Sequence, residues 1–132
     1  LNESHLNQIF ELETSIFINK SGIFKKSSIP IDAQFSSVHS IYTDDLNDDG
    51  YLDIILGGNL HSVKPEVGRY DANFGQGYVS KNGKYFSKLR NIESGIRFIG
   101  EVRDIVGLKV EDIDELIVLN NNDSLQSFSF IR

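Results

Sequence analysis

The chain has 132 residues, with 13 Lys and Arg against 19 Asp and Glu, and its formal net charge is −6. This length predicts a single domain, and the hydrophobic and charged fractions of 39% and 24% are ordinary for a globular protein. The acidic balance disfavours a nucleic-acid partner, whose phosphates require clustered basic side chains. The lack of cysteine excludes disulfides, thiol catalysis and Cys-ligated zinc, and leaves the redox compartment open.

The apolar runs are short. The longest are Ile54–Leu56 and Leu116–Leu119, whereas a helix that spans a bilayer needs roughly 20 residues. No membrane insertion is therefore expected. The chain has no methionine and opens at Leu1, so we expect a processed product or a fragment of a longer protein.

The first stretch predicts a short N-terminal helix over Asn2–Leu12. Leu6, Ile9 and Phe10 recur at helical spacing, and Ser4 is a suitable N-cap.

Beyond this stretch, short β-prone runs alternate with turn residues, which is typical of an all-β sandwich, barrel or propeller. No helical pattern of 10–15 residues lies between them, so a parallel βαβ fold is disfavoured. The runs are Ser15–Asn19, Ile23–Lys26, Val38–Thr43, Asp53–Gly57, Tyr78–Ser80, Tyr85–Ser87, Gly100–Val106, Glu115–Asn120 and Leu125–Ile131.

Two hairpins are predicted, one over Ile18–Phe24 and one over Val79–Phe86. The second contains Asn82-Gly83, a strong hairpin signal because both turn positions need positive φ. Gly22 and Gly83 lie 61 residues apart, and the segments that follow them are alike. We interpret this as a degenerate internal repeat of about sixty residues, which indicates a propeller, solenoid or array; coincidence among β-rich segments is the alternative.

The run 44–53 carries the strongest chemical signal, with five aspartates in ten residues. From Asp45 it reads D-x-N-x-D-G-x-x-D, which alternates oxygen-bearing side chains with spacers. Calcium takes six to eight oxygen ligands in flexible geometry, whereas magnesium prefers a rigid octahedron with several waters. The expected calcium ligands are the side chains of Asp45, Asn47, Asp49 and Asp53 and the carbonyl of Tyr51.

Two other interpretations of this run are less consistent with its residues. An EF-hand needs a bidentate Glu at position 12, where Leu56 stands, and helices on both sides. A solvated acidic turn needs only two or three turn residues, and crowded carboxylates repel one another without a cation. Asp44 and Asp48 are out of register and are expected to face solvent or to add negative field.

The run Phe35–Asn59 resembles an FG-GAP/VCBS repeat, the blade unit of integrin-α-like β-propellers. The motif D-x-N-x-D-G-x-x-D is followed by Ile-Ile-Leu-Gly-Gly-Asn, and the later runs Val63–Ala72 and Asn121–Gln126 resemble C-terminal blades of bacterial ASPIC/UnbV-type proteins. The resemblance covers roughly residues 13–130.

This resemblance implies antiparallel β-propeller blades. Residues 1–34 would hold the helix and the outer strands of one blade, residues 35–90 a complete calcium-loop blade, and residues 91–132 a degenerate last blade. Together they form a partial propeller, whose edges the remaining blades of a parent chain would cover. Run 107–114 has lost the calcium register and carries Lys109, so no calcium is expected there.

The function implied is a calcium-binding structural and binding module, not an enzyme, in a secreted, periplasmic or cell-surface bacterial protein. Its partners would be proteins or glycans. The alternatives are part of a propeller hydrolase or lyase, or an RNA-binding ASPIC/UnbV-like protein. The histidines His5, His39 and His61 share no metal-ligand spacing, and no nucleophile-elbow or phosphate-loop motif is present.

The segment Val63–Gly77 interrupts the repeat and is a candidate recognition loop. The alternative is a structural excursion that packs over the blade. Its possible partner-binding residues are Lys64, Glu66, Arg69, Tyr70 and Asp71.

Overall fold

A computed structural model describes residues 7–111 and 113–130, and these residues form nine β-strands. The strands are β1 (Ile16–Lys20), β2 (Ile23–Ser27), β3 (Val38–Asp44), β4 (Asp53–Gly58), β5 (Gln76–Lys81), β6 (Tyr85–Leu89), β7 (Val102–Val110), β8 (Ile113–Asn120) and β9 (Gln126–Phe130). Each overlaps one of the nine predicted runs, of which only Ile131 lies outside the described residues.

The strands form three antiparallel sheets, and the all-β prediction is confirmed. β1 and β2 form a hairpin, β3 to β6 form a four-stranded meander, and β7 to β9 form a three-stranded meander. The sheets therefore contain two, four and three strands, which is compatible with the predicted arrangement of one complete blade between two partial blades. The assignment of the sheets to propeller blades stays a prediction.

The predicted N-terminal helix is wrong over Asn7–Leu12, where the chain is irregular; Asn2–Leu6 lie outside the described residues. Ile9 and Phe10 are 78% and 88% exposed, so these two side chains are not packed against any other part of the described chain. A helix this short is marginal in water without such contacts. The described helical structure consists of a 3-10 turn at Ile31–Gln34 and one α-helical turn, α1 (Asn91–Ser94).

Both predicted hairpins are confirmed. Between β1 and β2, the two loop residues Ser21 and Gly22 have φ of 53° and 87°, as a type I′ turn requires. Between β5 and β6, Asn82 and Gly83 have φ of 55° and 63° in a three-residue loop.

The core lies on both faces of β4. One cluster fills the space between the second and third sheets and contains Ile55, Ile96, Phe98, Val102, Ile105, Leu116 and Val118. On the opposite face, Leu56 and Tyr78 pack with Ala33 of the 3-10 turn. The contact between the two sheets is close, because a Cβ on Gly57 would lie 2.6 Å from Val102 Cγ1.

The pairs β3–β4 and β7–β8 share an irregularity at the same place. The register shifts between Val38 and Ser40 in the first pair and between Val102 and Asp104 in the second. The two shifts face each other across the sheets, since Ser40 Oγ donates to Asp104 Oδ1 at 3.1 Å. The two strand pairs thus share this local geometry, and the internal repeat stays a prediction.

Replacement of Leu116 by Ala is expected to lower the free energy of unfolding by about 2–5 kcal/mol, because the side chain is fully buried and its loss leaves a cavity. Leu125→Ala is the matched control; Leu125 is 61% exposed, and the change should stay within about 0.5 kcal/mol. Urea denaturation measures both. Equal losses for the two variants would contradict the location of the core.

Candidate metal site

The acidic loop joins β3 to β4, two neighbouring antiparallel strands whose ends are paired through Asp44 and Asp53. The chain reverses between them, with positive φ at Asp48 (55°) and Gly50 (86°). The loop is therefore flanked by strands, as predicted, and not by the helices of an EF-hand.

Three of the predicted side chains turn inward onto the main chain of the loop. Asp45 Oδ1 and Oδ2 accept hydrogen bonds from the N–H groups of Asp49 and Gly50 at 3.0 and 2.7 Å. Asn47 Oδ1 accepts from Asp49 N–H at 3.2 Å, and Asp49 Oδ1 accepts from Tyr51 N–H at 2.9 Å. The alternation of the motif thus places successive oxygen atoms on the inner side of one turn.

Asp53 closes the loop from the first position of β4, where it is fully buried. Its Oδ2 accepts from Leu46 N–H at 3.1 Å, and its Oδ1 accepts from Ser80 N–H of β5 at 2.8 Å. Burial raises the pKa of Asp53, the two hydrogen bonds oppose this change, and the charges of Asp49 and Asp45 add to it. The carboxylates are close enough to repel one another.

The loop also reaches the turn between β5 and β6. A Cβ on Gly83 would lie 3.2 Å from the ring of Tyr51, and Gly83 N–H donates to Ser80 Oγ at 3.0 Å. The loop, the start of β4 and the β5–β6 turn therefore form one connected unit.

The two out-of-register aspartates differ. Asp48 is exposed, whereas Asp44 is half-buried and accepts from Tyr42 OH at 3.1 Å and from Asp45 N–H at 2.9 Å. Asp44 is therefore only partly open to solvent, and the alternative expectation, that it adds negative field to the loop, stays a prediction.

The donor set fits a hard cation, because every predicted ligand atom is an oxygen. In residues 7–111 and 113–130, no group of three or more His, Cys, Asp or Glu side chains is arranged to hold a metal ion. The carboxylates of Asp45 and Asp49 accept hydrogen bonds from main-chain N–H groups of their own loop.

The corresponding part of β7 and β8 is built differently. Strand pairing continues through Lys109–Asp114 and Val110–Ile113, so the long loop of the first pair has no counterpart. Glu115, which corresponds to Asp53, lies within hydrogen-bond distance of the hydroxyls of Ser127 and Ser129 on β9, at 3.5 and 3.4 Å.

The candidate recognition loop is closed at its base by paired main-chain hydrogen bonds between Leu60 and Tyr70, at 2.8 and 2.9 Å. All of its predicted partner-binding residues are exposed: Lys64, Glu66, Arg69, Tyr70 and Asp71. The geometry presents these side chains together on one surface excursion.

Sequence reasoning missed the residue that anchors this loop, Asn59. Asn59 is buried, has φ of 84°, and its Nδ2 donates to the carbonyls of Asn73 and Gly100 at 2.7 and 3.0 Å. Its Oδ1 accepts from Asn73 N–H at 2.9 Å. The sequence did contain one indication of this role, because an Asn recurs 62 residues later at the corresponding position, Asn121.

Glu101, a second anchor, was also missed. Its buried carboxylate accepts from His61 N–H and from Asn121 Nδ2, the latter at 2.6 Å, and lies 3.5 Å from Arg103. The hydrogen bond from Asn121 is the main reason that the pKa of Glu101 falls to about 2, and the His61 N–H adds to it.

No protein-family model, curated protein or solved structure matches this chain. The resemblance to FG-GAP/VCBS repeats therefore stays a prediction that depends on the motif and the segments that follow it. Among the described residues, no helix is long and apolar enough to cross a membrane.

Glu101 should make folding stability depend on pH. Its pKa is lowered from 4.5 to about 2 in the folded chain, so its stabilising contribution is complete above pH 4.5 and is lost as the pH falls towards 2. Chemical denaturation at several pH values should show the loss of stability in Glu101→Gln to be greatest above pH 4.5 and to shrink towards pH 2. Glu66→Gln, at an exposed position, is the matched control; a pH-independent loss in Glu101→Gln would contradict this role.

Proposed function

We propose that this chain is a calcium-stabilised segment of an FG-GAP/VCBS-type β-propeller that acts as a structural and binding module. The observation that carries the proposal is the loop between β3 and β4, which turns the oxygens of Asp45, Asn47 and Asp49 inward beside the buried Asp53. Each of these oxygens can still donate a lone pair to a cation, because a carboxylate or amide oxygen has more than one.

The role proposed for the cation is structural. When bound, calcium supplies positive charge among Asp45, Asp49 and Asp53, whose mutual repulsion contributes to the raised pKa of Asp53. Asp53 also joins the loop to β5 through Ser80 N–H. A cation held here would therefore stabilise the β3–β4 loop and its connection to β5, by binding only the folded state.

The binding role is assigned to exposed surface. The loop that carries Lys64, Glu66, Arg69, Tyr70 and Asp71 is held at its base by Asn59 and Glu101, which bond mainly to main-chain groups. Such anchors hold a recognition loop in position without catalytic chemistry. The proposed partners are proteins or glycans outside the cytoplasm of a bacterium, where millimolar calcium suits a weak site.

The two smaller sheets support a place in a larger ring. β1–β2 and β7–β9 contain two and three strands beside a complete four-stranded sheet, so their edges could pair with strands of the remaining blades.

Calorimetric titration with calcium tests the proposal. The chain should bind calcium with Kd of about 10⁻⁴–10⁻³ M. Asp49→Asn should abolish the measurable heat because it removes a negative charge from the site. The variant keeps an oxygen that can accept the Tyr51 N–H, so the loop itself should be preserved. Asp48→Asn is the matched control, since the same change at the exposed neighbour should leave Kd within about twofold. At calcium concentrations of about 100 Kd, the unfolding free energy should rise by about 2.7 kcal/mol in the unchanged chain. Binding that survives Asp49→Asn unchanged would reject this site.

A further inference from the structure

Positive charge is concentrated on two hairpins of this acidic chain. Six of its eight lysines lie on β1–β2 and β5–β6, and the net charge of the whole chain is −6. The six are Lys20, Lys25, Lys26, Lys81, Lys84 and Lys88. Because these lysines are clustered, the local electrostatic potential is positive although the whole chain is acidic, and a positive potential attracts anions.

The two hairpins form the walls of a groove of about 200 Å³, here called the lysine groove, which is lined by Ile18, Lys20, Lys25, Lys26, Ser27, Lys84 and Tyr85. Ser27 Oγ donates to the carbonyl of Lys84 at 2.8 Å and joins the walls. In the β1–β2 register, Lys25 pairs with Ile18 and Lys20 pairs with Ile23. Lys20 and Lys25 therefore lie on the same face of the hairpin.

Three of the lysines in the groove have no counter-charge within the part of the chain that the structure describes. Lys26 pairs with Glu11 and Glu13 at 2.6 and 2.9 Å. No ion pair forms to Lys20, Lys25 or Lys84 among residues 7–111 and 113–130. Their ammonium groups repel one another, and an anion in the groove would offset that repulsion.

We propose that the lysine groove binds an oligosaccharide that carries sulfate or phosphate ester groups. Three ammonium groups, each with three donors, match the several acceptor oxygens of such an ester. Tyr85 is 67% exposed and lines the groove beside the lysines, so an aromatic side chain is available to pack against a sugar ring. A groove admits a narrow chain, whereas a planar lipid bilayer would contact only its rims.

This inference rests on the proposed binding role only in its choice of a glycan, and it uses none of the calcium ligands. The lysine groove lies between the first two sheets, apart from the loop of Lys64, Glu66 and Arg69. Calcium binding and oligosaccharide binding can therefore succeed or fail separately.

Titration of the full chain with a heparin-derived hexasaccharide and with a phosphorylated mannan fragment tests the proposal. One of these should bind, and its affinity should fall steeply as salt is raised. Lys25→Gln and Lys84→Gln should each weaken binding about three- to fivefold, and the double variant about tenfold or more. Lys109→Gln removes an exposed lysine of β7, outside the groove and outside the candidate recognition loop, and should change affinity less than twofold; circular dichroism checks that each variant is folded.

Several outcomes would overturn the proposal. They are an unchanged affinity in the double variant, an equal loss in Lys109→Gln, and equal binding of the desulfated hexasaccharide. Tighter binding to vesicles of phosphatidylcholine and phosphatidylserine would assign the groove to a membrane instead. EDTA should leave oligosaccharide binding unchanged, and its loss in EDTA would overturn the independence of the two sites.

Discussion

Strand β4 is buried along nearly its whole length, and the other elements are arranged around that burial. Ile55 faces the third sheet and Leu56 faces Tyr78 and the 3-10 turn, so the strand contributes to both core clusters. A strand with two buried faces needs its polar neighbours satisfied by protein groups, because water cannot reach them. Asp53 at its start and Asn59 just after its end supply those contacts: Asp53 accepts main-chain N–H groups, and Asn59 bonds main-chain groups of Asn73 and Gly100.

The two polar residues at the ends of β4 differ in charge. The neutral Asn59 is a structural anchor, whereas the charged Asp53 belongs to the candidate metal site. Asn59 is neutral, so its burial is offset by hydrogen bonds alone. Asp53 carries a charge whose burial raises its pKa even with two N–H donors, and Asp45 and Asp49 add repulsion. Glu101 shows the opposite balance, since hydrogen bonds lower its pKa to about 2. An acid already stabilised needs no cation, whereas Asp53 stands to gain from one.

Local sequence patterns predicted the strands and turns well, because alternation and Asn-Gly act over a few residues. Helical spacing at Ile9 and Phe10 failed, since a helix of this length forms only against a surface and both side chains are exposed. The anchors Asn59 and Glu101 were missed for a related reason. Glu101 bonds His61, 40 residues earlier in the chain, and such contacts depend on how sheets pack. The four side chains of the candidate site could be proposed from the sequence because one loop and the strand residue that follows it carry them, and their role as ligands stays a prediction.

A comparison of the β3–β4 and β7–β8 pairs, which both contain a register shift, indicates which contacts a bound cation would stabilise. The β7–β8 pair keeps the same register shift as β3–β4 and stays paired up to its turn, so hairpins of this kind form without an acidic loop. In the first of these pairs, the residue that closes the acidic loop also contacts the next strand. Asp53 reaches the main chain of β5 through Ser80, and the corresponding Glu115 approaches two serine hydroxyls of β9. The same position thus joins the second and third strands of both sheets, by a buried carboxylate in one and an exposed contact in the other. A cation beside Asp53 would stabilise this connection between the second and third strands, because it would offset the cost of burying the Asp53 charge. Glu115 is less buried, so a cation beside it would offset less.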